Sequence, residues 1–119
     1  MMTDLTISDP DLTAMRAAME EARLAGARGE VPIGAVIVNR ATGEIVARDG
    51  NRTRERNDPS AHAEVMVIRA LGAHVGAQRM PGHDLYVTVE PCTLCAAAIS
   101  FARIDRVVFG TIDVKGGGV

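Results

Sequence analysis

Residues 85–109 read LYVTVEPCTLCAAAISFARIDRVVF. Leu85-Tyr86-Val87-Thr88-Val89 has the β-branched and aromatic content of a strand. Pro91 is placed to open a helix running to about Ala102, and Arg106-Val107-Val108-Phe109 reads as the next strand. A strand–helix–strand unit joins parallel strands through a right-handed crossover, so the segment predicts an α/β protein. Upstream, Ile33-Gly34-Ala35-Val36-Ile37-Val38 is an almost unbroken apolar run that suits a strand buried on both faces. A turn from Asn39 to Gly43 leads to Ile45-Val46-Ala47-Arg48, its hairpin partner. Asp58-Pro59-Ser60 offers caps for a helix with Ala61, Val65, Ile68 and Leu71 on its buried stripe. Asp9-Pro10 opens another, with Leu12, Met15, Met19 and Ala22 at helical spacing and Gly26 or Gly29 as its stop. The expected architecture is a three-layer α/β/α sandwich around a mixed central sheet.

A chain of 119 residues is the size of one domain, since domains cluster at roughly 100–150 residues. With 47% hydrophobic and 24% charged residues, a disordered, collagen-like or coiled-coil chain is excluded. One Tyr, two Phe and no Trp leave the core to aliphatic residues and argue against a general single-strand binder, which needs several stacking rings. The net charge of −2 excludes a broadly basic nucleic-acid surface. No apolar run approaches the ~20 residues that cross a bilayer. Met1–Asp11 has neither the basic start nor the apolar stretch of a signal peptide. A cytoplasmic location follows as the expectation, and there the two Cys read as a metal or redox pair. Residues 1–9 and Lys115-Gly116-Gly117-Gly118-Val119 are expected to be mobile. With the sheet edges unprotected, a longer natural chain is expected.

The chemistry concentrates in His62-Ala63-Glu64 and Pro91-Cys92-Thr93-Leu94-Cys95. Cys92 and Cys95, three residues apart, project from one side of a helical turn. At a helix N-terminus, their thiols are expected to be shifted toward thiolate. With His62 they make three zinc ligands and leave a fourth position open, the catalytic arrangement. On a regular helix His62 and Glu64 diverge by roughly 200°. At a helix mouth one can still reach a metal while the other flanks the open position, where a carboxylate moves protons between water and substrate. Three alternatives stay open at this point: a closed site completed by His74 or His83, a redox dithiol, and buried unreactive cysteines.

H-x-E followed by P-C-x-x-C resembles the zinc-dependent cytidine and deoxycytidylate deaminase superfamily. The likeness to its tRNA adenosine deaminase branch covers nearly the whole chain. It runs through Glu30-Val31-Pro32-Ile33-Gly34-Ala35-Val36, Gly50-Asn51-Arg52, Asp58 to Ile68, Leu85 to Ala97, and Arg103-Ile104 through Phe109-Gly110. Leu94 and Ala97 stand where that branch more often has Met and Gly, both conservative packing changes. The resemblance implies a single deaminase domain over 1–119 with the cytidine deaminase-like fold. It implies Zn²⁺ on His62, Cys92 and Cys95, with Glu64 as the catalytic proton carrier. The implied reaction turns adenosine into inosine at the wobble position of a tRNA anticodon loop. The implied assembly is a homodimer bound to the anticodon stem-loop. Asn51 would contact the flipped nucleotide, backbone N–H groups around Ala63 and Cys92 would polarise the ring or nascent oxygen, and Asp113 would lie near the RNA backbone. Arg52, Arg54 and Arg56 could meet phosphates. Two alternatives remain: a deaminase of a free base or nucleoside (guanine or cytosine), and a non-catalytic zinc-binding subunit.

Overall fold

In the computed structural model, which describes residues 8–110, the elements follow the expected order. They are α1 (Asp9–Ala27), β1 (Gly34–Asn39), β2 (Ile45–Gly50), α2 (Ala63–Val75), β3 (His83–Val87), α3 (Thr93–Ala102) and β4 (Arg106–Phe109). The sheet order is β2-β1-β3-β4. β1 is antiparallel to both of its neighbours, and β3 is parallel to β4. The sheet is therefore mixed, as the hairpin and the βαβ unit require.

The apolar run in β1 is explained by this central place. Ala35 and Ile37 pack on one face with Leu85, Val87 and Val107, beneath Val67 and Leu71 of α2 and Ile99 of α3. Val36 points to the other face, with Tyr86, Val108 and the Ala14 and Ala18 methyls of α1. Period-two alternation thus feeds two half-cores, and the three-layer expectation holds. On α2, Val67 joins Leu71 in the core while Ile68 is only partly buried, one position away from the predicted stripe.

α1 departs from its expected face. Its buried residues are Asp11, Ala14, Ala18, Ala22 and Ala25, whereas Leu12 and Met19 are 44% and 58% exposed. The reason is a close approach to β1. A Cβ built on Gly34 would lie 2.1 Å from the Ala18 carbonyl oxygen and 2.4 Å from the Ala22 nitrogen. Only an alanine stripe fits against so near a strand, and backbone meets backbone there. Gly34→Ala is accordingly expected to lower stability by about 3 kcal/mol or more. Urea denaturation measures this, and an unchanged midpoint would mean that α1 slides away without cost.

The cap of α1 is Ser8, not Asp9. The Asp11 amide donates to Ser8 Oγ and the Ser8 amide to Asp11 Oδ2, both at 3.2 Å. This reciprocal pair is a capping box. Asp11 also accepts from the Tyr86 hydroxyl and, at 2.7 Å, from Arg106 Nη2. Burial would raise the Asp11 carboxyl, but the bonds from Arg106, Tyr86 and Ser8 outweigh it and hold it well below the usual carboxylate range. The start of α1 is thereby tied to β3 and β4. No described helix is long and apolar enough to cross a membrane.

Candidate metal and catalytic site

β2 and β3 are both antiparallel to β1, so they run the same way and end on the same side of the sheet. The N-termini of α2 and α3, which follow those strands, meet there. Sites in α/β sheets form outside the carboxyl ends of strands for this reason. β3 stops at Val87 and not at the expected Val89; at Thr88 the amide still donates to the Gly34 carbonyl at 3.1 Å, while the Gly34 amide donates to the Thr88 hydroxyl at 3.2 Å. The chain is then free to bend through Val89 and Glu90 into the site.

His62 is the N-cap of α2 and Cys92 the N-cap of α3, and neither side chain makes a capping hydrogen bond. Serine, threonine or a carboxylate is usual at such positions. Here both side chains turn toward each other. His62 Nδ1 lies 3.3 Å from Cys95 Sγ and 3.5 Å from Cys92 Sγ. One ligand atom from each of the three residues lies within 4.8 Å of the others. Zn–N and Zn–S bonds of about 2.0–2.1 and 2.3 Å in a tetrahedron set N···S separations of roughly 3.5 Å, so the donors suit zinc without rearrangement. His74 lies in the last turn of α2, and His83 opens β3 with its Nδ1 beside the Pro81 carbonyl. Neither belongs to the cluster, which leaves three donors among the described residues.

For Cys95 in the metal-free protein, burial acts against the helix-dipole expectation. Cys95 is fully buried. Burial pushes its thiol far up, and Glu64 and Cys92 beside it add to the rise. Desolvation and neighbouring negative groups outweigh half a unit of helix charge. A divalent metal bound to both sulfurs would favour their thiolate form and offset that rise.

Glu64 reaches the same cavity because His62 is not yet helical. Its backbone is extended at φ −73° and ψ 155°. The angular divergence that a regular helix would impose therefore does not apply. Glu64 is only 3% exposed. Burial raises its carboxyl above the ordinary range, while its own amide, His62 and the Cys95 thiol pull it part of the way back. A carboxyl so balanced suits work as both base and acid.

Asn51 is buried and held from three sides. Its amide donates to the Ile33 carbonyl at 3.1 Å, its carbonyl accepts from Arg28 Nη2 at 3.1 Å, and its Oδ1 accepts from the Ala63 amide at 2.9 Å. It thus satisfies the helix-end donor that His62 leaves uncapped. The expected Ala63 donor is therefore engaged within the protein and does not stand free for substrate. The same bond orients Asn51 with its NH₂ as the group left for a ligand. The cavity has a volume of about 110 Å³, with walls from Ile33, Asn51, His62, Glu64, Val89, Glu90 and Cys92. Ile33, Val89 and Glu90 were not singled out from sequence. Their only signal is adjacency to the motifs. Asp113 lies outside the described residues, as do residues 1–7 and 111–119.

The arginine triplet divides. Arg52 is engaged by Asp49 at 2.9 Å and Glu55 at 2.8 Å, and Arg54 Nη1 by the Gly29 carbonyl at 3.1 Å. Of the three, Arg52 is the one held in ion pairs among the described residues, while Arg54 and Arg56 are both exposed.

Residues 8–111 match the family described as the cytidine and deoxycytidylate deaminase zinc-binding region. The chain is 61% identical over 105 residues to the tRNA-specific adenosine deaminase of Agrobacterium fabrum, covering 88% of this chain and 68% of that protein. It is 47% identical over 103 residues to that of Bacillus subtilis, covering 87% and 63%. A solved structure from a study of A-to-I editing by tRNA:A34 deaminases superposes with a TM-score of 0.85 at 59% identity, covering 89% of this chain and 75% of that one. A guanine deaminase from Bacillus subtilis superposes with a TM-score of 0.81 at 36% identity, covering 85% and 64%. The converging histidine and cysteines and these likenesses point the same way: the chain belongs to the cytidine and deoxycytidylate deaminase family, in the group of the tRNA-specific adenosine deaminases.

Proposed function

We propose that the protein converts adenosine to inosine at the wobble position of a tRNA anticodon loop. The observation that carries this reading is the open three-donor cluster with a buried carboxylate beside it. Its setting is a chain 61% identical to a tRNA-specific adenosine deaminase. In this reading His62, Cys92 and Cys95 hold Zn²⁺, which supplies a Lewis acid that makes water nucleophilic near neutral pH. Glu64 takes a proton from the water and delivers it to a ring nitrogen as the oxygen bonds to C6 of adenine. It then assists the amino group to leave as ammonia. Adenosine and water become inosine and ammonia. Asn51 donates its amide N–H to an acceptor on the base or ribose.

A cavity of about 110 Å³ is well below the ~300–1,000 Å³ of common ligand pockets. A pocket this small suits a base-sized group, turned out of its strand or free. An anticodon loop presents such a base at little unstacking cost. A homodimer in the cytoplasm belongs to the same reading. Phe101, 76% exposed on α3, and Leu94, 48% exposed, offer apolar surface for pairing. One sheet with helices on both faces supports a single deaminase domain over residues 1–119.

The 36% likeness to a guanine deaminase favours a second reading, deamination of a free base. Incubation with an anticodon stem-loop RNA, with guanine and with cytosine separates the two. Inosine formed in the RNA is the expected result. Ammonia released from the free bases alone would overturn the tRNA reading. Tightly bound zinc with no turnover of any substrate would favour a non-catalytic subunit.

A further inference from the structure

We propose that Glu30 is a positioning residue for this site, acting through the loop of residues 51–62 without touching the substrate; the proposal rests on the deaminase reading above. Glu30 lies in the connection between α1 and β1 and is 6% exposed. Its carboxylate accepts three bonds from a segment more than twenty positions away. The Arg54 amide donates to Oε1 at 3.1 Å, the Thr53 hydroxyl to Oε1 at 3.4 Å, and the Glu55 amide to Oε2 at 2.8 Å. Burial would raise this carboxyl, but the two amides and the hydroxyl hold it lowered, so it stays an anionic acceptor.

The loop it grips carries a site residue at each end, Asn51 and His62. Most of the loop's backbone bonds are made within it. The Arg52 amide donates to the Ala61 carbonyl at 2.9 Å and closes its base, while the Asp58 amide donates to Thr53 at 3.0 Å and braces its tip. Such a self-closed loop moves as one piece, and its orientation on the protein needs an outside anchor. Glu30 provides that anchor, aided by the bond from Arg54 Nη1 to the neighbouring Gly29 carbonyl at 3.1 Å. The same anchor sets where Arg56 points. Freeing the tip leaves Asn51 and the metal donors held by their own bonds but lets residues 53–58, Arg56 among them, swing. Substrate positioning suffers before the chemistry does.

The test uses the full-length, zinc-loaded chain with Glu30→Gln and Glu30→Ala, an anticodon stem-loop RNA, and amide hydrogen exchange. Glu30→Ala is expected to raise KM roughly tenfold, with kcat within about twofold and zinc unchanged. Glu30→Gln keeps one acceptor oxygen and should fall between it and wild type. Exchange of the Arg54 and Glu55 amides should rise about tenfold or more in Glu30→Ala. Wild-type KM in Glu30→Ala would overturn the proposal. So would kcat and zinc falling together at constant KM, the mark of a plain loss of folded protein. Unchanged exchange at the two amides would also overturn it. A wild-type chain inactive on the RNA would instead refute the proposed reaction, and the exchange measurement would still report on the anchor.

Discussion

Glu64→Ala is expected to lower kcat by about 10²–10⁴-fold, the usual share of a positioned acid–base group, while zinc stays near one per chain. Among the described residues two carboxylates line the cavity, Glu64 and Glu90. Glu64 lines the cavity within α2's first turn, and Glu90, the other carboxylate in the wall, sits on the strand side before Pro91. The variant should fold, because the lost group is a buried carboxyl whose ionised form is already disfavoured. Glu64→Gln keeps the shape and removes the proton carrier, so it should be nearly as inactive. Single-turnover inosine formation together with metal analysis checks both variants. Zinc lost along with activity would make Glu64 a ligand, and turnover near wild type would remove it from the mechanism.

Cys95→Ala should abolish activity by a different route, through the metal. Cys95 is the fully buried member of the cluster, 3.3 Å from His62 Nδ1. Removing it leaves two donors where a catalytic zinc site uses three. The variant is expected to hold well under one zinc per chain after dialysis, and to turn over no substrate. Cys95→Ser fills the volume without a thiolate and should behave alike, which separates ligand loss from packing loss. Chelation of the wild-type protein should lower its thermal midpoint, since metal binding adds its free energy to the native state. A Cys95→Ala protein that retained zinc and turnover would show that the three donors do not hold the metal together.

Much of this was legible in residue order. The parallel β3–β4 pair follows from strand, helix and strand between Leu85 and Phe109, and β4 forms over the residues expected, Arg106–Phe109. The central place of β1 follows from its unbroken apolar run, because a strand covered on both faces has no polar side to show. His62, Cys92 and Cys95 stood out by donor type and spacing, and their ligand atoms do converge; the part given to Glu64 came from the family resemblance. In α1, Met15 and Ala22 face the core as their spacing suggests, but Leu12 and Met19 do not. Leu12 and Met19 carry the larger hydrophobicity, but the helix lies too near Gly34 for large side chains, so alanines face the sheet. Periodicity ranks residues by transfer free energy and knows nothing of interlayer distance.

The sequence by itself determined the fold class and marked His62, Cys92, Cys95 and Glu64 as the candidate site, their roles implied by the family resemblance, because these rest on local pattern and on chemistry that few residue types supply. Only the tertiary structure decided how those parts meet. Cys95 is pushed up, not down, because its surroundings exclude water. Asn51 gives its oxygen to Ala63 and keeps its NH₂ for a ligand. Glu30 grips a loop that begins twenty-odd residues later. Each of these depends on which distant groups share a small volume, and that is set by the packing of layers and not by neighbours in the chain.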